Sequence, residues 1–160
     1  MDAFFTIKNK YVVHDSVDKI SSELSNILDR RWYDFSENIL GRLNEDGTFK
    51  LSPKWTLGSL KVFGMLQDMT YLIGALKKED DKTIIETTTR PNYALIVAFY
   101  FPLLLLLAKL FGFDIFIEGT LTQLLLVIPA VCFVLAVIMA FSVVRLRNRF
   151  ERLMQLEHLD

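Results

Sequence analysis

Apolar and polar positions interleave along residues 1–92 and then part company: residues 93–144 are almost uniformly apolar. The first stretch reads as a folded α+β unit. Over residues 3–13, Phe4, Thr6, Lys8 and Lys10 alternate with Phe5, Ile7 and Tyr11, as in an edge strand or an extended arm. His14-Asp15-Ser16 then opens a helix, with Asp15 or Ser16 as N-cap. Val17, Ile20, Leu24, Ile27 and Leu28 share one face of it, Lys19, Glu23, Ser25 and Asn26 fill the other, and the helix is predicted to end near Arg31.

Beyond Trp32 and Tyr33 the period shortens to two. Ile39, Gly41 and Leu43 alternate with Leu40 and Arg42, Glu45-Asp46-Gly47 marks a turn, Phe49 and Leu51 resume the alternation, and Pro53 closes a hairpin. Further strands are predicted around Leu60, Val62 and Gly64, around Tyr71, Ile73 and Ala75, and over Thr83 to Thr89 after the polar turn Glu79-Asp80-Asp81. One helix on an antiparallel sheet of four or five strands is the expected fold for residues 1–92. Pro91-Asn92 is the whole linker between this unit and the apolar stretch, so the sheet is expected to sit against the membrane surface with little freedom to swing.

The second stretch holds two runs, Tyr93 to Phe113 and Leu121 to Val144. Each supplies about 20 apolar residues, enough at ~1.5 Å per residue to cross a ~30 Å hydrocarbon layer. Pro102 and Pro129 should bend them. Helices that are apolar on every face need hydrocarbon or a much larger protein around them, and ninety-odd residues cannot wrap two. A two-helix transmembrane hairpin is therefore expected, with a short turn between Gly112 and Gly119. Residues 145–160 continue as an amphipathic helix, with Leu146, Phe150, Leu153 and Met154 in a stripe that packs either on the sheet or on a second copy.

Charge adds a direction. The net charge of -1 gives no overall pull toward nucleic acid. The basic residues flank the runs instead: Lys77, Lys78, Lys82 and Arg90 before the first, and Arg145, Arg147, Arg149 and Arg152 after the second. Asp114 and Glu118 lie between the runs, with Lys109 at the border. The positive-inside rule puts both termini in the cytoplasm. Arg90, Tyr93, Lys109, Arg145, Arg147 and Arg149 are the expected membrane-interface residues. No basic n-region precedes an apolar stretch at Met1-Asp2-Ala3-Phe4-Phe5, so the first run is expected to serve as its own targeting signal. The lone Cys132 cannot form an intramolecular disulfide.

The order Gly41-x-Leu43, Phe49-x-Leu51, Tyr71-Leu72-x-Gly74-x-Leu76 and Thr83-x-Ile85, followed directly by a membrane span, resembles a group of uncharacterised small bacterial membrane proteins. The resemblance covers roughly residues 15–113, and the stretch from Pro53 to Thr70 is longer here than in that pattern. It implies the architecture and a bacterial inner membrane, and carries no activity with it.

Reactive chemistry is sparse. His14-Asp15-Ser16 has the letters of a hydrolase triad, but adjacent residues cannot converge as a triad must, and a helix cap explains them. Glu79-Asp80-Asp81 lacks the alternating ligands and the glycine of a calcium loop. Asp29-Arg30-Arg31-Trp32-Tyr33 suits a helix end or a membrane surface better than nucleic acid. No catalytic, metal or cofactor site is expected. The chain is expected to be a membrane-anchored, non-catalytic module whose cytoplasmic domain binds a partner protein or a small ligand; the alternative is a small channel-like or membrane-perturbing oligomer.

Overall fold

The structure, a computed structural model, describes residues 5–28, 39–53, 69–79, 82–113 and 121–156. The predicted strand around Leu60, the Trp32-Tyr33 segment, Asp80-Asp81 and the turn between the two apolar runs lie outside those residues.

Five strands, β1 (Ile7–Val13), β2 (Ile39–Leu43), β3 (Thr48–Pro53), β4 (Thr70–Glu79) and β5 (Lys82–Pro91), form one antiparallel sheet in the order β1-β5-β4-β3-β2. Strands β2 to β5 are the expected meander. β1 closes the far edge by pairing Tyr11 with Ile85 and Ile7 with Thr89. The β2–β3 turn falls at Asn44 to Gly47. Gly47 takes φ +79°, which a side chain would strain, and Asp46 accepts from both the amide (2.9 Å) and the hydroxyl (2.6 Å) of Thr48. Those bonds hold the Asp46 carboxyl below the usual carboxylate range.

Helix α1 (Val17–Leu28) begins at Ser16, whose Oγ accepts from the Lys19 amide at 3.3 Å. Thr83 on β5 donates to the Asp15 carbonyl at 2.7 Å and ties the cap to the sheet. Ile20 and Leu24 of α1 enter a core with Tyr11, Ile39, Phe49, Leu51, Leu72, Leu76 and Ile85, all on one side of the sheet. Gly74 on β4 lies on that side beneath the Phe49 ring, in space that a Cβ would fill.

Two helices are long and apolar enough to cross a membrane: α2 (Tyr93–Leu110) and α3 (Leu121–Leu153). Asn92 caps α2, accepting from the Ala94 amide at 3.1 Å. α2 stops three residues short of the expected end. Gly112 takes φ +81°, and the Phe113 and Gly112 amides turn back to the Ala108 and Lys109 carbonyls, a Schellman closure. α2 and α3 pack through Leu106, Ile128 and Cys132, with Phe99, Leu103 and Leu124 around them.

The C-terminal stripe continues the second helix, as its spacing implies: α3 runs unbroken for 33 residues, about 50 Å, and ends at Leu153, earlier than the expected span. There Gln155 adopts φ 49° and the Leu156 amide turns back to the Glu151 carbonyl. The stripe packs within the chain. Leu146 and Phe150 belong to the sheet's core, and Leu153, Met154 and Leu156 pack against it. The Phe150 ring stacks on Phe49 at 5.6 Å and tilts against Tyr11 at 6.3 Å. The domain therefore has two helical elements on its sheet, α1 and the end of α3, the first of the two packings that the stripe allowed.

Candidate functional site

Because side chains alternate along a strand, the register sorts the sheet into two faces. One face is covered by α1 and α3. The other carries Lys8, Lys10, Arg42, Lys50, Lys77, Lys82 and Arg90, against only Glu79 and Glu86 among the described residues. Six of the seven cations are exposed, and Arg90 is half-buried. Ile73 and Leu40 stand exposed among them. Glu86 is drawn into this field. The Lys77 ammonium at 2.6 Å, with Lys10 farther off, holds its carboxyl below the ordinary range.

At the end of this face nearest α2, two cations and two aromatic rings come together. The Arg90 guanidinium lies 4.9 Å from the Tyr71 ring centroid and 4.7 Å from that of Tyr93, and its Nη1 donates to the Tyr93 hydroxyl. Lys50 reaches over the same Tyr71 ring at 4.8 Å. Burial pushes the Tyr71 phenol up, against the lowering effect of Arg90. The Arg90 Nε is buried without a hydrogen-bond partner.

A second polar cluster pins α3 to the sheet's opposite face. Tyr11 donates to the Glu151 carboxylate at 2.6 Å, and Asn9 donates to the Tyr11 hydroxyl at 2.7 Å and to Glu151 at 3.3 Å. Arg147 pairs with Glu151 at 3.4 Å, both largely shielded from solvent. Burial, reinforced by the Glu151 carboxylate, pushes the Tyr11 phenol up to about 12. This cluster fixes the position of a helix; its groups are spent on one another.

The six expected interface residues fall in three places. Arg90 and Tyr93 are brought into contact. Lys109 lies in the last turn of α2, at the far end of the hairpin. Arg145, Arg147 and Arg149 follow the apolar part of α3, with Arg145 over the Phe141 ring at 5.8 Å and Arg147 turned onto Glu151 and Asn148. Sequence reasoning missed Lys50 and Tyr71 as partners of Arg90. The alternation within β3 and β4 was visible, but which lysine meets which aromatic depends on cross-strand register.

Compared with protein-family models, with curated proteins and with solved structures, the chain matches none. Its chemistry is therefore read from its own residues. Among the described residues no three His, Cys, Asp or Glu side chains converge as a metal would require. An open cleft of about 560 Å³ lies between α1 and the β2–β3 turn, where Asp18, Glu45, Asp46 and Lys78 line its rim. Two features can meet other molecules on a large scale: the apolar surface of α2 and α3, and the basic face of the sheet.

Proposed function

We propose that the chain is an integral membrane protein of the plasma (inner) membrane, a non-catalytic module that holds its α+β domain at the cytoplasmic surface and offers the basic sheet face to an acidic partner protein. The observation that carries the reading is α3. Its first two-thirds presents large apolar side chains outward, Leu126, Phe133, Val137 and Phe141 among them, and only 17% of its most apolar window is buried. Its last turns are built into the core of the sheet. A core helix of a soluble protein would be covered along its length.

The packing of α3 on the sheet supports one orientation of the domain on the bilayer. A helix packed on a sheet lies parallel to the sheet's plane, so a sheet packed on the emerging end of a membrane helix stands upright on the bilayer. The basic face looks along the membrane surface, toward whatever lies beside the protein there, and complementary charge is what would steer a partner to it. Arg145, Arg147, Arg149 and Arg152 support the cytoplasmic assignment.

The test has two parts. Alkaline carbonate washing of membranes should leave the chain in the pellet, and a reporter fused after Asp160 should be active only in the cytoplasm. Purification in mild detergent should then recover a partner protein that is lost when Lys10 and Lys77 are both changed to Glu. Recovery in the carbonate supernatant would overturn the membrane assignment. A bare monomer, or a partner indifferent to the charge reversal, would overturn the binding role.

A further inference from the structure

We infer that Arg90, Tyr71, Tyr93 and Lys50 form a site for the phosphate of an anionic phospholipid, with an acyl chain of the same lipid lying along α2. The inference rests on the membrane reading above and adds a ligand class and a location to it.

Depth places the site first. Arg90 is the penultimate residue of β5, and Tyr93 is the first residue of the first membrane-length helix. The guanidinium thus stands where hydrocarbon gives way to headgroups. The site is also built. Rings on Tyr71 and Tyr93 hold the guanidinium in place, and the Tyr93 hydroxyl takes Nη1. No carboxylate meets that guanidinium among the described residues, and its planar fork suits phosphate oxygens.

Charge favours an anion there. Lys50 stands over the same Tyr71 ring, and neither cation meets a carboxylate among the described residues, whereas Lys77, farther up the face, does. Lys50 on β3 and Arg90 on β5 flank Tyr71 on β4, so an anion held at Arg90 also feels the field of Lys50.

The surface of α2 separates a lipid from a free phosphate. Tyr93, Val97, Tyr100 and Leu104 fall at i, i+4, i+7 and i+11 of the helix, one strip of it, and all are exposed, Tyr93 by 59% and Val97 by 63%. The strip leads away from Arg90 along the helix axis. A ligand that satisfies both features has an anionic phosphate at one end and a hydrocarbon chain at the other.

The test uses the full chain in nanodiscs of phosphatidylcholine, with phosphatidylglycerol titrated in and bound lipid counted by native mass spectrometry after ejection. Incorporation into pure phosphatidylcholine discs is measured first, and failure there would overturn the membrane reading itself. With incorporation secured, the chain should retain phosphatidylglycerol over phosphatidylcholine by about tenfold: both lipids offer the same phosphodiester to Arg90, but the choline cation of phosphatidylcholine is repelled by Arg90 and Lys50. Arg90→Gln should abolish the preference and Lys50→Gln should weaken it. Lys50 is exposed, so its replacement leaves the fold intact. Lys82→Gln, at the other end of β5, should leave the preference in place. Equal retention of both lipids, or a preference lost equally in Lys82→Gln, would overturn the site. Displacement of the lipid by millimolar inorganic phosphate would overturn the lipid as its ligand.

Discussion

Phe133 and Phe150 sit on the same helix, and one is 70% exposed while the other is 1% exposed. The two regions they belong to solve the hydrophobic problem in opposite ways. Around Phe150 a two-layer domain hides its apolar side chains against each other, with Phe49, Tyr11 and Leu146 closing over the ring. Around Phe133 the chain packs one stripe, Ile128 and Cys132 against Leu106, and leaves the rest outward. A single composition of Leu, Val, Ile and Phe is thus buried in one region and left exposed in the other. The buried positions on α3, from Ile128 and Cys132 through Met139 and Val143 to Leu146 and Phe150, keep one helical stripe through both regions. The helix passes from one to the other without a joint, so the domain is fixed to the hairpin at α3 as well as at Asn92.

That contrast can be broken by substitution. Phe150→Ala should destabilise the sheet domain by about 3–5 kcal/mol, the usual cost of emptying a phenylalanine site, whereas Phe133→Ala should leave it unchanged. Loss of near-UV circular dichroism on heating in detergent measures both. An equal response at the two positions would mean that the halves of α3 share one environment. Gly74→Ala is next. The added methyl would enter the Phe49 ring, with a cost toward the upper end of the ~1–3 kcal/mol seen for overpacking, and Phe49→Leu in the same chain should recover part of it.

The link between the regions gives a smaller effect with a pH signature. Tyr11→Phe removes the hydroxyl that donates to Glu151 and should cost about 1.5 kcal/mol near neutral pH. The folded chain holds the Tyr11 phenol at about 12, above its ordinary 10.0. A group raised in this way contributes stability that is complete below pH 10 and is lost as the pH climbs toward 12. Denaturant midpoints should therefore fall over that window in the native chain and fall less in Tyr11→Phe. The smallest effect belongs to the surface of the basic face. Lys77 and Glu86 are close but solvent-exposed, and Lys77→Ala should not shift the midpoint measurably.

Much of this was legible from spacing alone. The Glu45-Asp46-Gly47 turn, the Ile20 and Leu24 face of α1, the cap at Ser16, both apolar runs and the Leu146–Phe150 stripe are local signals, and each sits where its period puts it. Non-local choices were not legible. β1 could have been an arm, and nothing near it in sequence says that it pairs with β5, far along the chain. The alternation through Tyr71, Ile73 and Ala75 marks β4 correctly as a strand, but both of its faces carry apolar residues. Leu72, Gly74 and Leu76 turn inward because Gly74 alone leaves room for Phe49. The same gap hid the site. Arg90 and Tyr93 are three residues apart and could be paired by eye, while Lys50 and Tyr71 reach them only through the β3–β4–β5 register.

The most direct test of the claim that α3 runs from hydrocarbon into a protein core is a spin-label scan along it in native membranes. In a Cys132→Ala background, single cysteines would be placed at Phe133, Val137 and Phe141 and at Asn148 and Arg152, all outward-facing positions. Labels at the first three should relax with dissolved oxygen and be shielded from a water-soluble nickel complex, and those at the last two should show the reverse. Equal access of the nickel complex to all five would contradict a helix that changes solvent along its length.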